Sequence, residues 1–206
     1  HNLIDYENII EKSKEQIEDV KKSEIYTFLN VGRHTEEDKK LSRIIEASKL
    51  LKQDNLKFRI VMIGTGKDDK DYKKLVSKYN LQDQILFLGQ KSNPYPYFKI
   101  ADSLLITSEH EGFPVVYIEA MTLGLPILTT EVSDSKKVIQ NKYGIVTNKD
   151  VDSIYKAMKL AINQGIQNEE TFNCEEYNNQ IKQKLHIFII NCRGNYANNW
   201  LCNFNN

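Results

Sequence analysis

The segment from Ser103 to Thr130 reads SLLITSEHEGFPVVYIEAMTLGLPILTT, and it predicts one complete strand, helix and strand unit. Ser103–Thr107 is a short apolar run typical of a buried strand, and Pro126–Thr129 is a second such run. Between them, Pro114 suits the first turn of a helix, where a missing N–H does no harm. Gly124 is a natural helix terminator. A unit of this type places its two strands side by side and parallel in one sheet.

The same alternation of strands and helices extends along most of the chain. Further short apolar runs predict strands at Tyr26–Val31, Phe58–Ile63, Ile85–Leu88 and Gly144–Val146. Residues at helical spacing fill the intervals, and the strands are mostly unbroken apolar runs, as expected when helices cover both faces of a sheet. We therefore predict an α/β fold, a Rossmann-like three-layer sandwich with a parallel sheet of about six strands.

The composition limits the kinds of partner. Lys plus Arg and Asp plus Glu each number 28, so the formal net charge is zero. No global field attracts nucleic acid, and we predict no nucleic-acid partner. Any phosphate binding must therefore come from local groups.

The cysteine pattern and the lengths of the apolar runs predict the cellular compartment of the protein. Cys174, Cys192 and Cys202 form no C-x-x-C pair, which favours a reducing compartment and no structural zinc. No signal peptide or membrane-length apolar run is apparent. We expect a soluble, cytoplasmic protein.

Three regions differ in character. We interpret residues 1–24 as a linker and leading helix, in which residues 5–24 are charged and helical in pattern and present a solvated face. Residues 25–185 carry the predicted domain. Residues 186–206 form an atypical tail, of which residues 191–206 lack any period, and we interpret it as non-native or disordered.

The loop from Ser108 to Gly112 follows a strand, and ligands of open parallel sheets bind at the carboxyl ends of strands. The N–H groups of Val115 and Val116 would lie in the first turn of the next helix, ready to bind an anion. Glu119 could accept both hydrogens of a ribose diol, and Glu111 could reach sugar hydroxyls. On spacing alone, two ordinary exposed glutamates are the commoner explanation.

A second loop, VGRHTEEDKKL at residues 31–41, follows the first strand of the domain and leads into a helix expected to begin near Asp38 or Lys39. Arg33 offers a rigid fork for phosphate oxygens and Lys39 a compact charge. Together they could neutralise a diphosphate. Taken alone, they are more often surface charges.

A third loop, IGTGKDD at residues 63–69, has Gly64 and Gly66 but places Asp69 where a dinucleotide fingerprint needs a third glycine. A dehydrogenase is thus disfavoured. The run from Asp69 to Asp71 matches D-x-D metal motifs formally, but acidic residues in a first helical turn explain it better.

Two loop histidines, His34 and His110, could hydrogen-bond a phosphate or sugar oxygen, although a lone loop histidine is more often solvated. No nucleophile with an adjacent base and no metal-ligand cluster is apparent, so we predict no metal.

These motifs together resemble the carboxyl-terminal, donor-binding domain of family 4 retaining glycosyltransferases of the GT-B fold, of the type that builds bacterial polysaccharides such as O-antigen. The resemblance covers about residues 1–185. In chain order it is carried by Val31-Gly32-Arg33 with Lys39, Ile63-Gly64-Thr65-Gly66, Phe87-Leu88-Gly89, Ala101-Asp102, Ser108, Glu111-Gly112-Phe113-Pro114, Glu119-Ala120-Met121 and Gly124-Leu125-Pro126.

The resemblance implies roles for particular residues. Arg33 and Lys39 would bind the donor diphosphate and Glu111 the transferred sugar, as the catalytic set. Where other branches have glycine, Pro114 removes one possible N–H donor. The donor-binding residues that the resemblance implies are Gly32, Gly64, Gly66, Ser108, His110, Gly112, Phe113, Pro114, Val115 and Val116, with Glu119 at the ribose and Gln90 and Lys91 near the nucleobase.

The resemblance also implies a reaction. The enzyme would transfer a hexosyl or N-acetylhexosaminyl group from a nucleotide-diphosphate sugar, a UDP-sugar, with retention, to a glycan or lipid-linked glycan at the membrane surface. The nucleotide sugar is a substrate, and no cofactor is implied. Because GT-B enzymes close two domains over the reaction, we expect the isolated chain to lack its amino-terminal acceptor domain and to be inactive, and the whole enzyme to be membrane-peripheral.

Two other functions share this fold. A nucleotide-sugar epimerase would act without an acceptor. A noncatalytic interaction module would not bring Arg33, Lys39, Glu111 and Glu119 to one cleft.

Overall fold

The computed structural model describes residues 3–112, 114–184 and 186 of the 206-residue chain. Contacts divide the chain into two units, one of residues 6–172 and one of residues 1–5 with 173–206. The first unit contains six strands and seven helices, in the order α1 (Tyr6–Lys12), β1 (Thr27–Val31), α2 (Leu41–Gln53), β2 (Arg59–Ile63), α3 (Asp69–Lys78), β3 (Ile85–Phe87), α4 (Tyr95–Ile100), β4 (Ser103–Ile106), α5 (Val115–Thr122), β5 (Ile127–Thr130), α6 (Ser135–Val138), β6 (Gly144–Thr147) and α7 (Val151–Gln164).

All strands of the sheet are parallel, and their order is β3-β2-β1-β4-β5-β6. The chain builds outward from β1 to β3, then returns to the other side of β1 with β4. The strand order therefore reverses between β1 and β4. In open α/β sheets, ligands bind at the carboxyl ends of the strands beside such a reversal.

Helices cover both faces of the sheet. On one face α2 packs against α3 and α7, and on the other α1 packs against α4 and α5. A hydrophobic core cluster lies under the first group, where Phe28, Ile60 and Met62 of the strands meet Ile44 and Leu51 of α2, all fully buried. This arrangement confirms the predicted Rossmann-like three-layer sandwich with a parallel sheet.

The predicted strands all form, and each differs from its predicted bounds by a single residue at one or both ends. The predicted helix after β1 begins later than expected, at Leu41. Lys40 adopts a left-handed conformation with φ 50°, which a right-handed helix does not allow, so residues 36–39 form a separate turn. Lys39 therefore lies in a loop and not in the helix.

The leading segment is less helical than its pattern suggested. Only Tyr6–Lys12 is helical, and residues 13–24 are irregular. Val20 is buried, and Asp19 bonds to Lys91 of the loop after β3 and to Tyr97 of α4. A continuous helix would not place both Val20 and Asp19 in these long-range contacts.

The second unit contains a helix over residues 174–184. The amide of Ile4 donates to Asn178 Oδ1 at 3.0 Å, and Asn178 Nδ2 donates to the Ile4 carbonyl at 2.8 Å. The bounds 1–24, 25–185 and 186–206 stay predictions, and the atypical tail lies, except for residue 186, outside the described residues.

Candidate functional site

A cavity of about 530 Å³ opens at the carboxyl ends of β1, β2 and β3. Its walls come from the loops that follow these strands and from the start of α4. The lining includes five of the predicted site residues, Gly32, Arg33, Gly64, Gln90 and Lys91, together with Val31, Ile63, Thr65 and Pro94.

Two glycines let the loops after β1 and β2 meet at this cavity. Gly64 has φ +137°, and a Cβ built on it would lie 1.8 Å from the carbonyl oxygen of Gly32. The backbone is tied on both sides, because the Gly32 amide donates to the Ile63 carbonyl at 3.0 Å and the Gly64 amide to the Gly89 carbonyl at 2.9 Å. This part of the cavity wall is therefore bare backbone, which any side chain at residue 64 would disrupt.

Arg33 lies at the mouth of the cavity with an exposed side chain. Among the residues that the structure describes, no hydrogen bond or ion pair to its guanidinium is recorded. A permanently charged fork without a protein partner beside a cavity is well suited to bind phosphate oxygens.

Lys39 and Glu111 form an ion pair, although they belong to loops after different strands. Both side chains are largely buried, with 23% and 13% exposure. The Ser108 hydroxyl donates to Glu111 Oε1 at 2.8 Å, so three predicted site residues meet here. The loops meet because β1 and β4 are neighbours in the sheet.

The structure also distinguishes the two adjacent lysines. Lys39 Cε would be 3.9 Å from a Cβ at Gly32, and Lys39 thus approaches a residue of the cavity wall. Lys40 Nζ instead lies 3.8 Å from Glu36 Oε1. Lys39 is the lysine that belongs to the site.

The first turn of α5, which begins four residues after Glu111, offers two backbone donors. Pro114 is the N-cap, with φ −64° and ψ 131°, and makes no side-chain cap. Val115 and Val116 follow as the first helical residues, and for their amides no acceptor is recorded in the described part of the chain. Val115 is 46% exposed. Phe113, another predicted site residue, lies outside the described residues.

Glu119 lies deeper in α5 and is hydrogen-bonded to α4. The Tyr95 hydroxyl donates to Glu119 Oε1 at 3.1 Å. Tyr95 follows Pro94, which lines the cavity. Burial raises the pKa of Glu119 above its ordinary value of 4.5, and the bond from Tyr95 opposes that shift.

Lys91 lines the cavity but already has a protein partner. Its ammonium lies 2.7 Å from Asp19 Oδ2, and the Tyr97 hydroxyl donates to the same carboxylate at 2.9 Å. The hydrogen bond to Asp19 raises the pKa of Lys91. Asp19 reaches Lys91 from the irregular part of the leading segment, whose charge pattern had indicated only a solvated face, so Asp19 is a site residue that no sequence signal predicted.

His34 is buried rather than solvated, which corrects the commoner expectation for a loop histidine. Its Nδ1 donates to Asp69 Oδ1 at 2.5 Å. Its Nε2 is buried without a hydrogen-bond partner among the described residues and would lie 3.3 Å from a Cβ at Gly64. Asp69 and Asp71 occupy the first turn of α3, as predicted, but no side-chain cap bond forms there.

Of the predicted residues outside the cavity lining, Gly66, His110 and Gly112 also stay apart from the Lys39–Glu111 pair in the described contacts. Gly66 packs against the backbone of His34, since a Cβ on it would lie 2.0 Å from the His34 carbonyl oxygen. Gly66 therefore allows close packing of the loop behind the cavity. His110 and Gly112 are exposed on the loop before α5, and no contact with the cavity residues is recorded for them in the described ranges.

No group of three or more potential metal-ligating side chains occurs within the residues that the structure describes. None of the helices in that part of the chain combines the length and apolar character needed to cross a bilayer.

The sequence matches the protein family described as "Glycosyl transferases group 1" over residues 11–183. The chain is 26% identical over 191 residues to the N-acetylgalactosamine-N,N'-diacetylbacillosaminyl-diphospho-undecaprenol 4-alpha-N-acetylgalactosaminyltransferase of Campylobacter jejuni, which covers 91% of this chain and 48% of that relative. It is also 26% identical over 166 residues to the UDP-Gal:alpha-D-GlcNAc-diphosphoundecaprenol alpha-1,3-galactosyltransferase of Escherichia coli, covering 78% of this chain and 42% of the relative.

One solved structure to which the chain is similar is itself a single domain. It is the C-terminal domain of the glycosyl transferase group 1 family protein LpcC of Francisella tularensis, with a TM-score of 0.59 and 25% identity over 68% of this chain and 76% of that one. The chain thus corresponds in extent to a domain, and it spans less than half the length of the two relatives, at 48% and 42%.

Proposed function

The chain belongs to the glycosyl transferases group 1 family, and from this premise we propose that it binds a nucleotide-diphosphate sugar, of the UDP type, at the carboxyl edge of its sheet. One observation carries the proposal. The guanidinium of Arg33 stands at the mouth of the cavity beside the loop that holds the Lys39–Glu111 pair. Positive groups and a cavity thus lie at the carboxyl edge of the sheet, with the cavity at β1, β2 and β3 and the Lys39–Glu111 pair at the neighbouring reversal between β1 and β4.

Each part of the donor has a candidate partner. The diphosphate would be bound by Arg33 and Lys39 and by the amides of Val115 and Val116 at the start of α5, where the helix dipole favours an anion. Lys39 would then exchange its bond to Glu111 for one to phosphate. The released Glu111 carboxylate could accept hydrogen bonds from the hydroxyls of the sugar.

The nucleoside would lie on the other side of the diphosphate. Glu119 can accept both hydrogens of the ribose diol, and it is already hydrogen-bonded to the residue that follows Pro94 of the cavity wall. Gln90 and Lys91 of the cavity rim would lie near the nucleobase. The name of the Escherichia coli relative specifies UDP-Gal as its donor, and this supports a uridine nucleotide for the present chain.

In the complete enzyme we propose a transfer with retention. The bond between the sugar C1 and the donor phosphate oxygen breaks, and C1 forms a bond to the acceptor oxygen. The acceptor proton passes to the departing phosphate. Arg33 and Lys39 stabilise the charge that grows on that phosphate, and the loss of one such donor typically costs about 3 kcal/mol of transition-state stabilisation.

The acceptor would be a glycan or a lipid-linked glycan. The names of both relatives contain a diphosphate-linked undecaprenol acceptor and a galactosyl or N-acetylgalactosaminyl group. Because the chain spans less than half of each, we propose that another domain supplies the acceptor site and that the isolated chain binds donor without turnover.

Calorimetric titration of the chain with UDP tests the binding step. We expect the wild type to bind UDP and Arg33→Ala to bind at least about tenfold more weakly, because a charged hydrogen bond is lost. Lys156→Ala is the control, since it removes an exposed cation of α7 that pairs with Asp152 of its own helix. A folded wild-type chain without UDP affinity would overturn the proposal.

A further inference from the structure

Glu109, two residues before Glu111, is held by two cations from different parts of the fold. Arg43 of α2 forms an ion pair with its carboxylate through Nη2. Lys149, in the loop between β6 and α7, contacts the same carboxylate at 3.2 Å and donates to the Glu109 carbonyl at 2.5 Å. The loop before α5 is thus connected on two sides to the scaffold.

The same segment is bonded to the loop that carries Lys39. The Glu109 amide donates to the Asp38 carbonyl at 2.7 Å. The Thr107 hydroxyl donates to the Lys39 carbonyl at 3.2 Å, and Arg43 Nη1 donates to the Thr107 carbonyl, also at 3.2 Å. The Lys39 and Glu111 loops are therefore joined at Asp38 and Lys39 on one side and at Thr107 and Glu109 on the other.

The three charged side chains of this cluster are partly shielded from solvent, which strengthens the interactions between them. The side chains of Arg43, Glu109 and Lys149 are 18%, 26% and 34% exposed. The hydrogen bond from Arg43 lowers the pKa of Glu109, which favours an ionised carboxylate at neutral pH. Charged hydrogen bonds at this degree of burial are stronger than exposed pairs.

We propose that Glu109 is a positioning residue, which, through Arg43 and Lys149, holds the loop before α5 so that Lys39 and Glu111 meet at the edge of the donor site. This inference rests on the proposed function. A rigid support of this kind lowers the ordering cost of ligand binding, because the charged groups are already in place before the diphosphate arrives. Glu109 itself contacts no ligand.

The test is UDP titration of the 206-residue chain and of four variants. Glu109→Gln keeps the shape of the side chain and removes its charge, and Lys39→Ala removes the group through which it is proposed to act. The double variant Glu109→Gln with Lys39→Ala completes a cycle. Asp54→Asn is the matched control, since it breaks the pair with Lys159, 2.5 Å long, between the end of α2 and α7, away from the cavity.

We expect Glu109→Gln to weaken UDP binding by about tenfold. In the Lys39→Ala background, the same change should weaken binding less than about twofold, because its effect passes through Lys39. Asp54→Asn should bind UDP like the wild type even where its urea midpoint falls. A residue that merely stabilised the fold would act equally in both backgrounds.

Three outcomes would refute the positioning role of Glu109, and one of them would also refute the proposed function. A wild type that binds UDP, together with a folded Glu109→Gln variant of unchanged affinity, would refute the positioning role and leave the proposed function intact. Equal losses with and without Lys39 would also refute it. If Glu109→Gln fails to fold, Lys149→Met replaces it in the cycle, with the same expectations. A wild type that does not bind UDP would overturn the proposed function and this inference with it.

Discussion

Gly64→Ala should disrupt the cavity wall, because the added methyl group does not fit between the loops after β1 and β2. The new Cβ would lie 1.8 Å from the Gly32 carbonyl oxygen and 2.9 Å from its carbon. An ordinary C···O contact is about 3.3 Å, so the two loops must separate by roughly 1.5 Å. A shift of that size breaks the backbone bonds from Gly32 to Ile63 and from Gly64 to Gly89.

The size of the effect follows from these losses. Two or three backbone hydrogen bonds at about 1 kcal/mol each, and a strained φ of +137° at about 1 kcal/mol or more, give a loss of about 4 kcal/mol in unfolding free energy. Gly89→Ala is the control, because Gly89 also has a positive φ, +69°, but nothing lies within 4 Å of its Cβ position. That variant should lose only about 1 kcal/mol, from backbone strain.

Urea unfolding followed by far-ultraviolet circular dichroism measures both variants. The expected order of stability is wild type, then Gly89→Ala, then Gly64→Ala. If Gly64→Ala were as stable as Gly89→Ala, the close approach of the two loops would be wrong, and with it the backbone wall of the cavity.

Two further substitutions test the cost of burying Glu119 and the contribution of the Asp19–Lys91 ion pair to stability. Burial raises the folded-state pKa of Glu119 above the unfolded value near 4.5. The folded chain therefore binds the proton more tightly than the unfolded chain. As a consequence, the free energy of unfolding falls as the pH rises from the unfolded pKa through the folded pKa. Glu119→Gln should therefore raise the urea midpoint at pH 7 while weakening UDP binding, and a lower midpoint would contradict the assigned burial cost. Asp19→Asn removes the ion pair with Lys91, whose two side chains are 35% and 28% exposed, so the unfolding free energy should fall by less than about 1 kcal/mol; a larger loss would show that residues 13–24 are integral to the core.

The sheet was predictable because its signals are local. Each strand is a short apolar run, and the bounds moved by one residue at most at either end. The meeting of Lys39 with Glu111 was also within reach, since both follow strands whose carboxyl ends share one edge of the sheet. No local pattern specified that they would pair with each other before a ligand arrives.

The failures concern long-range packing. The left-handed conformation of Lys40 delays α2 and leaves Lys39 in a turn, and no sequence rule marks a lysine for φ 50°. His34 is buried because the loop at Gly66 closes over it, a contact between segments more than thirty residues apart. Asp19 reaches Lys91 from a segment whose charge pattern is typical of a solvated helix. In each case the deciding contact depends on the assembled fold.

A crystal structure of the chain with UDP is the most direct test of the central claim. We predict that the diphosphate lies within about 3 Å of the Arg33 guanidinium and of the amides of Val115 and Val116, with Lys39 turned from Glu111 toward phosphate. A UDP molecule bound elsewhere, or one whose diphosphate does not reach Arg33, would contradict the account.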